Sequence, residues 1–189
     1  MPIINSIEFT IKVVQNSAVS PDLDHKIREG LVECYPKDTD HFSHQRSWHS
    51  EPEWIVCACI PDGSVAAHVA MVERVVTVGD DRVWVKVAGP QGVFVRPLWR
   101  KKGLIDLIMD TAKKESEKRG VEAGLLFCLP ALEDKVYGRM GWIKLDARVY
   151  MHDNSGVKVP IDSKNITMAL PIHIEEFPRG DIDLNGPDW

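Results

Sequence analysis

The stretch Gly89–Arg119 constrains the fold more than any other, because it reads as a strand passed through a tight turn into a helix. Val93, Phe94 and Val95 form a short apolar run, and Arg96-Pro97-Leu98-Trp99 breaks it. Arg100-Lys101-Lys102-Gly103-Leu104-Ile105 then opens a helical pattern, with Leu104, Ile105, Ile108 and Ala112 on one face. Asp110–Lys114 and Glu115–Arg119 brace that helix as i,i+4 pairs, and Gly120 ends it. The first N–H groups of a helix have no intrahelical partner and carry partial positive charge, so this turn suits an anion such as a pyrophosphate. Gly103 lets the backbone approach a ligand with no Cβ in the way. The alternative is an ordinary strand-to-helix connection carrying solvated basic residues, and a short glycine motif alone leaves both readings open.

The residues upstream favour the first reading. Val83, Val85 and Val87 alternate with Trp84 and Lys86, which predicts a strand. Ala88-Gly89-Pro90-Gln91-Gly92 interrupts a run that resumes at Val93. Proline cannot donate to a ladder, and glycine in a strand marks a bulge or a close backbone approach. A long strand bent just ahead of an anion-binding turn leaves backbone groups free to pair with an extended ligand.

Composition excludes several classes. The chain has 189 residues, 44% apolar and 27% charged, so one domain with a real core is expected over 1–189, with 174–189 an irregular tail. No window reaches the ~18 consecutive apolar residues of a membrane span. Met1-Pro2-Ile3-Ile4-Asn5 lacks the basic-then-apolar order of a signal peptide. Cys34, Cys57, Cys59 and Cys128 form no zinc or disulfide framework, and a reduced, cytoplasmic setting is expected. A formal charge of −5 argues against nucleic acid and favours a cationic partner.

Elsewhere, Ser6–Val14 alternates as a strand, and Ser20-Pro21 starts a helix that Pro36 stops. Lys37–Pro52 reads as a loop holding His41, His44, Arg46, Trp48 and His49; the histidine spacing matches no standard metal site, and no metal is expected. Trp54–Ile60, Ser64–Val78 and the bent strand form an antiparallel meander. His68, among Ala66, Ala67 and Val69, reads as a buried, hydrogen-bonded histidine or as a catalytic one. Glu122–Leu129 is a nearly all-apolar strand, as a buried, partly parallel one should be. Ala131–Arg139 is expected as a short helix, Trp142 to about Met151 as a strand, Asp153–Lys164 as a loop and Asn165–His173 as a last strand. The result is an α/β class with a mixed sheet.

The second constellation is Val136-Tyr137-Gly138-Arg139-Met140-Gly141-Trp142, a tyrosine at a helix end followed by a glycine turn into an aromatic-led strand. Together with the turn and the bend, it makes the chain resemble the GNAT superfamily of acyl-CoA-dependent N-acyltransferases from about Ile7 to Ile174. Arg100, Lys101, Lys102, Gly103 and Leu104 match the family's (Q/R)-x-x-G-x-(G/A) motif, which departs at Ile105. The resemblance implies a mostly antiparallel sheet with a splayed central strand pair flanked by helices. It implies acetyl-CoA held by Val93, Phe94, Val95 and Arg100–Ile105, and Tyr137 as general acid. Two groups are similar at further points. Aminoglycoside 2′-N-acetyltransferases, kasugamycin-modifying type included, share Ala66-Ala67-His68, Gly92-Val93-Phe94-Val95-Arg96, Tyr137–Trp142, Leu170-Pro171-Ile172, Arg179-Gly180-Asp181-Ile182 and Asp188-Trp189. Nodulation-factor N-acyltransferases share Arg46-Ser47-Trp48, Val65-Ala66-Ala67-His68 and Ile182-Asp183-Leu184-Asn185-Gly186-Pro187-Asp188.

What the resemblance implies is acetylation of an amine on an amino-sugar antibiotic, conferring resistance. The alternatives are acylation of a chitooligosaccharide amine, or a non-catalytic acyl-CoA-binding module. The expected substrate-side residues are Asp38, Trp48, Gln91, Gly92, Cys128, Asp181, Asp183, Asp188 and Trp189. Glu175 to Trp189 is acidic against one base, Arg179, and so expected to hold a polycation. Gln91 stands where the aminoglycoside enzymes carry a Glu, so it cannot serve as base. The partners expected are a small amino sugar and no nucleic acid, with a homodimer an open alternative to the monomer.

Overall fold

The computed structural model describes residues 3–4, 7–153, 155–161 and 164–189. In chain order its elements are β1 (Ile3–Ile4), β2 (Ile7–Glu8), β3 (Thr10–Gln15), α1 (Pro21–Cys34), α2 (Thr39–His44), β4 (Trp54–Cys59), β5 (Val65–Val78), β6 (Val83–Val95), α3 (Leu104–Lys118), β7 (Ala123–Cys128), β8 (Ile143–Leu145), β9 (Val149–His152), β10 (Lys158–Pro160), β11 (Ile166–Pro171) and β12 (Ile182–Asp183). They group into two compact units, each assembled from two separated stretches of chain.

The first unit comprises Met1–Val72 and Gln91–Lys114. Here β3 pairs antiparallel with β4, and β4 with β5. Ser20 caps α1, its Oγ accepting from the Leu23 N–H at 3.2 Å, with Pro21 at the first helical position. Ile27 and Leu31 of α1 bury against Phe42, Phe94 and the Ile55, Cys57 and Cys59 face of β4. Gly30 lies mid-helix, where glycine costs about 1 kcal/mol relative to alanine. A Cβ there would overlap the Phe94 ring, so the absent side chain is what lets α1 close on β6.

The second unit comprises Glu73–Pro90 and Glu115–Trp189. Its β6 segment pairs parallel with β7 at Val87↔Ala123 and Ala88↔Gly124. β7 is antiparallel to β11, and β11 to β8. β12 runs antiparallel to β5 and parallel to β9, and β10 is antiparallel to β9. Val76, Val78, Val85, Val87, Leu125, Leu126, Met168 and Ile182 are buried. The fold is the expected α/β class with a mixed, mostly antiparallel sheet.

The structure departs from the sequence reading in identifiable places. The first strand is β2 and β3; Phe9 is buried but Val13 is exposed, and Ser6 lies outside the described residues. β6 runs unbroken through Ala88–Gly92, and Gly92 takes a left-handed φ of +55° within it. Lys37–Pro52 is not all loop: it holds the end of a 3₁₀ turn (Pro36–Asp38) and α2, which one buried residue, Phe42, anchors without any periodic signal. The single helix expected at Ala131–Arg139 is a 3₁₀ turn at Pro130–Leu132, a π turn at Glu133–Tyr137 and a second 3₁₀ turn at Gly138–Met140. The strand expected from Trp142 to Met151 splits into β8 and β9, which pair with different strands. The loop at Asp153–Lys164 contains β10, and Asn154, Asp162 and Ser163 lie outside the described residues. The tail is not wholly irregular, because Ile182 and Asp183 fill the gap between β5 and β9; two residues are too few to show a period of two.

Candidate active site

The left-handed position of β6 at Gly92 is held by side chains of the first unit. The His68 ring is fully buried, and its Nδ1 lies 2.9 Å from the Gly92 carbonyl oxygen. A carbonyl only accepts, so Nδ1 carries the proton. The ring stacks on Phe94 with centroids 5.5 Å apart and planes at 25°. Burial pushes His68 down to about 4 from its usual 6.5. Tyr35, at the end of α1, donates its hydroxyl to the Val93 carbonyl at 2.6 Å, and burial raises its pKa to about 12. The Val95 carbonyl accepts from Arg100 Nε at 3.1 Å. Sequence reasoning missed Tyr35 entirely, since a tyrosine ahead of a helix-ending proline carries no local signal for this contact.

The pH consequence follows from the direction of the His68 shift. Its unfolded pKa lies above its folded one, so stability is full above about 6.5 and falls as pH drops toward 4. Urea unfolding at pH 7.5 and 4.5 should show the wild type losing roughly 2–3 kcal/mol more than His68→Phe, which has no proton to gain. Equal losses would mean that His68 is not buried neutral.

Gln91, 3% exposed, joins β6 to the neighbouring loop. Its Nε2 donates to the Ser50 carbonyl at 2.7 Å, and its Oε1 accepts from the Trp48 N–H at 2.9 Å. Both ends of the amide thus already hold the 48–50 segment. Trp48 is half-buried, stacked on His41 at 4.9 Å and edge-on to Phe42 at 4.5 Å. Asp38 ends the 3₁₀ turn, its N–H donating to the Tyr35 carbonyl at 3.0 Å. Among the described residues no group of three or more His, Cys, Asp or Glu side chains is arranged to hold a metal ion.

The turn at Arg100–Leu104 carries two left-handed residues ahead of α3. Lys101 and Gly103 take left-handed φ values of +60° and +76°. Arg100 folds back to Val95, and the Lys102 ammonium lies over the Trp99 ring at 4.6 Å. Leu104 is buried and Ile105 half-buried, which fixes the start of α3. The Leu107 N–H donates to the Gly103 carbonyl at 3.1 Å, so the N–H groups of Leu104 and Ile105 precede the first intrahelical bond. A Cβ built on Gly103 meets nothing within 4 Å, so the space before the turn is open. A pyrophosphate fits that arrangement. Gly103→Val should therefore weaken CoA binding at least tenfold, about 1.4 kcal/mol, by filling this space and straining the φ. Calorimetry with CoA checks it; unchanged affinity would remove the turn from the site.

Tyr137 and the tail belong to the second unit. Tyr137 ends the π turn, is buried, and meets the Trp142 ring edge-on at 6.1 Å. Gly141 follows with a φ of +87° and turns the chain into β8. Trp142 in turn packs on Gly124, where a Cβ would come within 2.6 Å of the indole. Cys128 is buried with its thiol pushed up to about 11, and its Sγ lies 3.9 Å from Met168 Sδ.

The acidic tail is not the free anionic surface its composition implied. Asp181 pairs with Arg148 at 2.9 Å; Asp183 is buried and pairs with Lys158 at 2.9 Å and His152 at 3.2 Å. Asp188 lies close enough to Arg74 to favour its charged form. Glu175 and Glu176 line a surface cleft with Ile143, Leu145 and Phe177. The neutralising cations lie far away in sequence, which is why a count within the tail missed them. Trp189 is 8% exposed and covers Gly89 so closely that a Cβ there would overlap the indole. It also lies 5.5 Å from the Phe127 ring and 5.4 Å from the Arg74 guanidinium. Gly89 is thus explained by a packed indole.

Comparison with known proteins places this fold. A search of curated proteins gave no match. Among solved structures, the chain is similar to the GNAT family N-acetyltransferase YhbS from Escherichia coli in complex with CoA, with a TM-score of 0.63, 15% identity, and coverage of 97% of this chain and 92% of that one. It is also similar to an acyl-CoA N-acyltransferase from Pseudomonas aeruginosa (TM-score 0.61, 13% identity, 86% and 99% covered). A third similar structure is the ribosomal-protein-S18-alanine N-acetyltransferase from Escherichia coli (TM-score 0.55, 18% identity, 88% and 97% covered). At these identities the likeness is one of fold. The family model for the acetyltransferase (GNAT) domain matches residues 24–144, well over half of the sequence, and the chain belongs to that family.

Proposed function

We propose that the chain transfers an acetyl group from acetyl-CoA to an amine of an amino sugar, as an aminoglycoside 2′-N-acetyltransferase of the kind that inactivates kasugamycin and related antibiotics. The observation that carries the transferase reading is the open backbone turn at Arg100–Leu104, with left-handed Lys101 and Gly103 ahead of α3. The amino-sugar part rests on Ala66-Ala67-His68, Tyr137–Trp142 and the Arg179–Trp189 segment.

The N–H groups that open α3 hold the pyrophosphate, and the backbone at Val93–Val95 holds the extended arm that follows it. When bound, acetyl-CoA supplies an acetyl group activated as a thioester. The acceptor nitrogen forms its bond to the carbonyl carbon as the carbon–sulfur bond breaks. Negative charge develops on the carbonyl oxygen, and a backbone N–H of Val93–Val95 stabilises it. Tyr137 gives its phenolic proton to the leaving sulfur, and the proton lost by nitrogen passes to solvent. His68, held neutral, and Gln91, an amide, leave an acceptor amine that is already neutral as the simplest nucleophile.

One observation favours a second acceptor. Asp181 and Asp183 are already paired with cations of their own unit, which leaves less charge to hold a polycation. A chitooligosaccharide amine of the nodulation-factor type needs less of it. The test is thiol release from acetyl-CoA with kasugamycin, other aminoglycosides, a de-N-acetylated chitooligosaccharide and an alanine-terminated peptide. Turnover with a 2′-amino aminoglycoside is the expected result. Turnover with the peptide alone would reject the sugar reading, and CoA binding without any turnover would leave an acyl-CoA-binding module.

A further inference from the structure

We propose that His68 is a positioning residue for acyl transfer: by holding the Gly92 carbonyl, it aims the Val93 N–H at the thioester oxygen. The inference rests on the acetyl-CoA part of the reading above and is independent of which amine accepts.

The peptide between Gly92 and Val93 is trans, so its C=O and N–H point in opposite directions. Fixing one fixes the other. The His68 Nδ1–H, 2.9 Å from the Gly92 oxygen, does the fixing. The ring is itself held, stacked on Phe94, which lies against the bare Cα of Gly30. The next peptide plane, from Val93 to Phe94, is held by the Tyr35 hydroxyl on the Val93 oxygen at 2.6 Å. Both peptide planes flanking Val93 are thus pinned by side chains, at the residue that follows the one left-handed position in β6.

His68 is not there to complete a polar network. Its Nε2 is buried and has no hydrogen-bond partner among the described residues. An orphaned buried acceptor is unfavourable, and an apolar side chain of the same shape would avoid it. The ring has one polar contact to justify its place, the bond to Gly92. Because burial keeps it neutral, that bond persists through the neutral pH range. A donor fixed before the reaction stabilises developing oxygen charge without reorganising.

The test uses acetyl-CoA labelled with ¹³C at the carbonyl, read by NMR when bound. In the wild type the carbonyl resonance should move downfield of its free position. In His68→Asn, whose side-chain amide places an N–H near the old Nδ1–H, most of that displacement should remain. In His68→Phe, which keeps the ring and the stack but has no donor, it should fall back toward the free value. CoA affinity by calorimetry should be alike in all three. With whichever amine turns over, kcat of His68→Phe should fall roughly 10²-fold at unchanged KM for acetyl-CoA, and His68→Asn should recover most of it. A merely structural histidine would instead lower activity in both variants in step with their melting temperatures. The wild type alone supplies a further test, decisive even if His68→Phe does not fold: the Val93 amide proton must shift when acetyl-CoA replaces CoA. An unmoved Val93 amide, or an equal carbonyl displacement in His68→Phe, overturns the proposal. None of the NMR readouts needs an amino sugar, so a wrong acceptor leaves them intact, whereas failure to bind CoA at all overturns both.

Discussion

Replacing Trp189 with alanine is expected to destabilise the protein by about 3–5 kcal/mol, the range for emptying a large aromatic site. The indole is 8% exposed, covers the Cα of Gly89 and meets the ring of Phe127. Arg74 lies over it and donates to the Pro187 carbonyl, so the last turn of chain and the guanidinium support each other. Loss of the indole leaves a cavity on bare backbone and takes the π face from a half-buried cation whose pKa burial already lowers. The indole N–H has no hydrogen-bond partner among the described residues, which puts the expected value toward the low end of the range. Differential scanning calorimetry should show a drop in Tm of about 10 °C. A binding residue of the kind the acidic tail first implied would behave differently, raising KM for a cationic sugar and leaving Tm alone. That outcome would restore the tail to the substrate site.

The second large effect is on the rate. Tyr137→Phe should lower kcat by roughly 10²–10⁴-fold, the contribution of a positioned proton donor. The phenylalanine keeps the edge-on contact with Trp142 and the buried ring volume. Loss of a buried hydroxyl contact costs only about 1 kcal/mol, so the fold should persist. CoA affinity should not change, because the proton is needed only as sulfur leaves. Steady-state thiol release with the amine found in the acceptor panel measures it. A mutant turning over at the wild-type rate would assign the proton to water or to another group.

Local pattern made much of the fold legible. Ser20-Pro21 marked the start of α1 because capping is settled within one turn of chain. The 3.6-residue stripe from Leu104 gave α3 nearly to its last residue, and the apolar run at Ala123–Cys128 gave a buried strand with a parallel neighbour. Arg100–Leu104 was visible for the same reason: a glycine between a strand and a helix is a local event. Tyr137 was visible only through its spacing to Gly141 and Trp142, and the π turn that carries it was not. A π turn is stabilised by what packs around it, and propensity along the chain does not signal it.

By itself, then, the sequence determined the elements whose cause lies within a few residues: the cap, the stripe, the valine alternation of β6, and the turn before α3. Only the tertiary structure decided what each special residue is for. Gly30, Gly89 and Gly92 look alike in sequence, yet one admits Phe94, one lies under Trp189, and one takes a left-handed φ beside His68. The tail carboxylates looked unopposed until the fold brought Arg148, Lys158 and Arg74 to them. The physical reason is the same in each case. Hydrogen bonds and caps within one turn are written in neighbouring residues, whereas steric exclusion and charge pairing depend on atoms that the chain returns from tens of residues away.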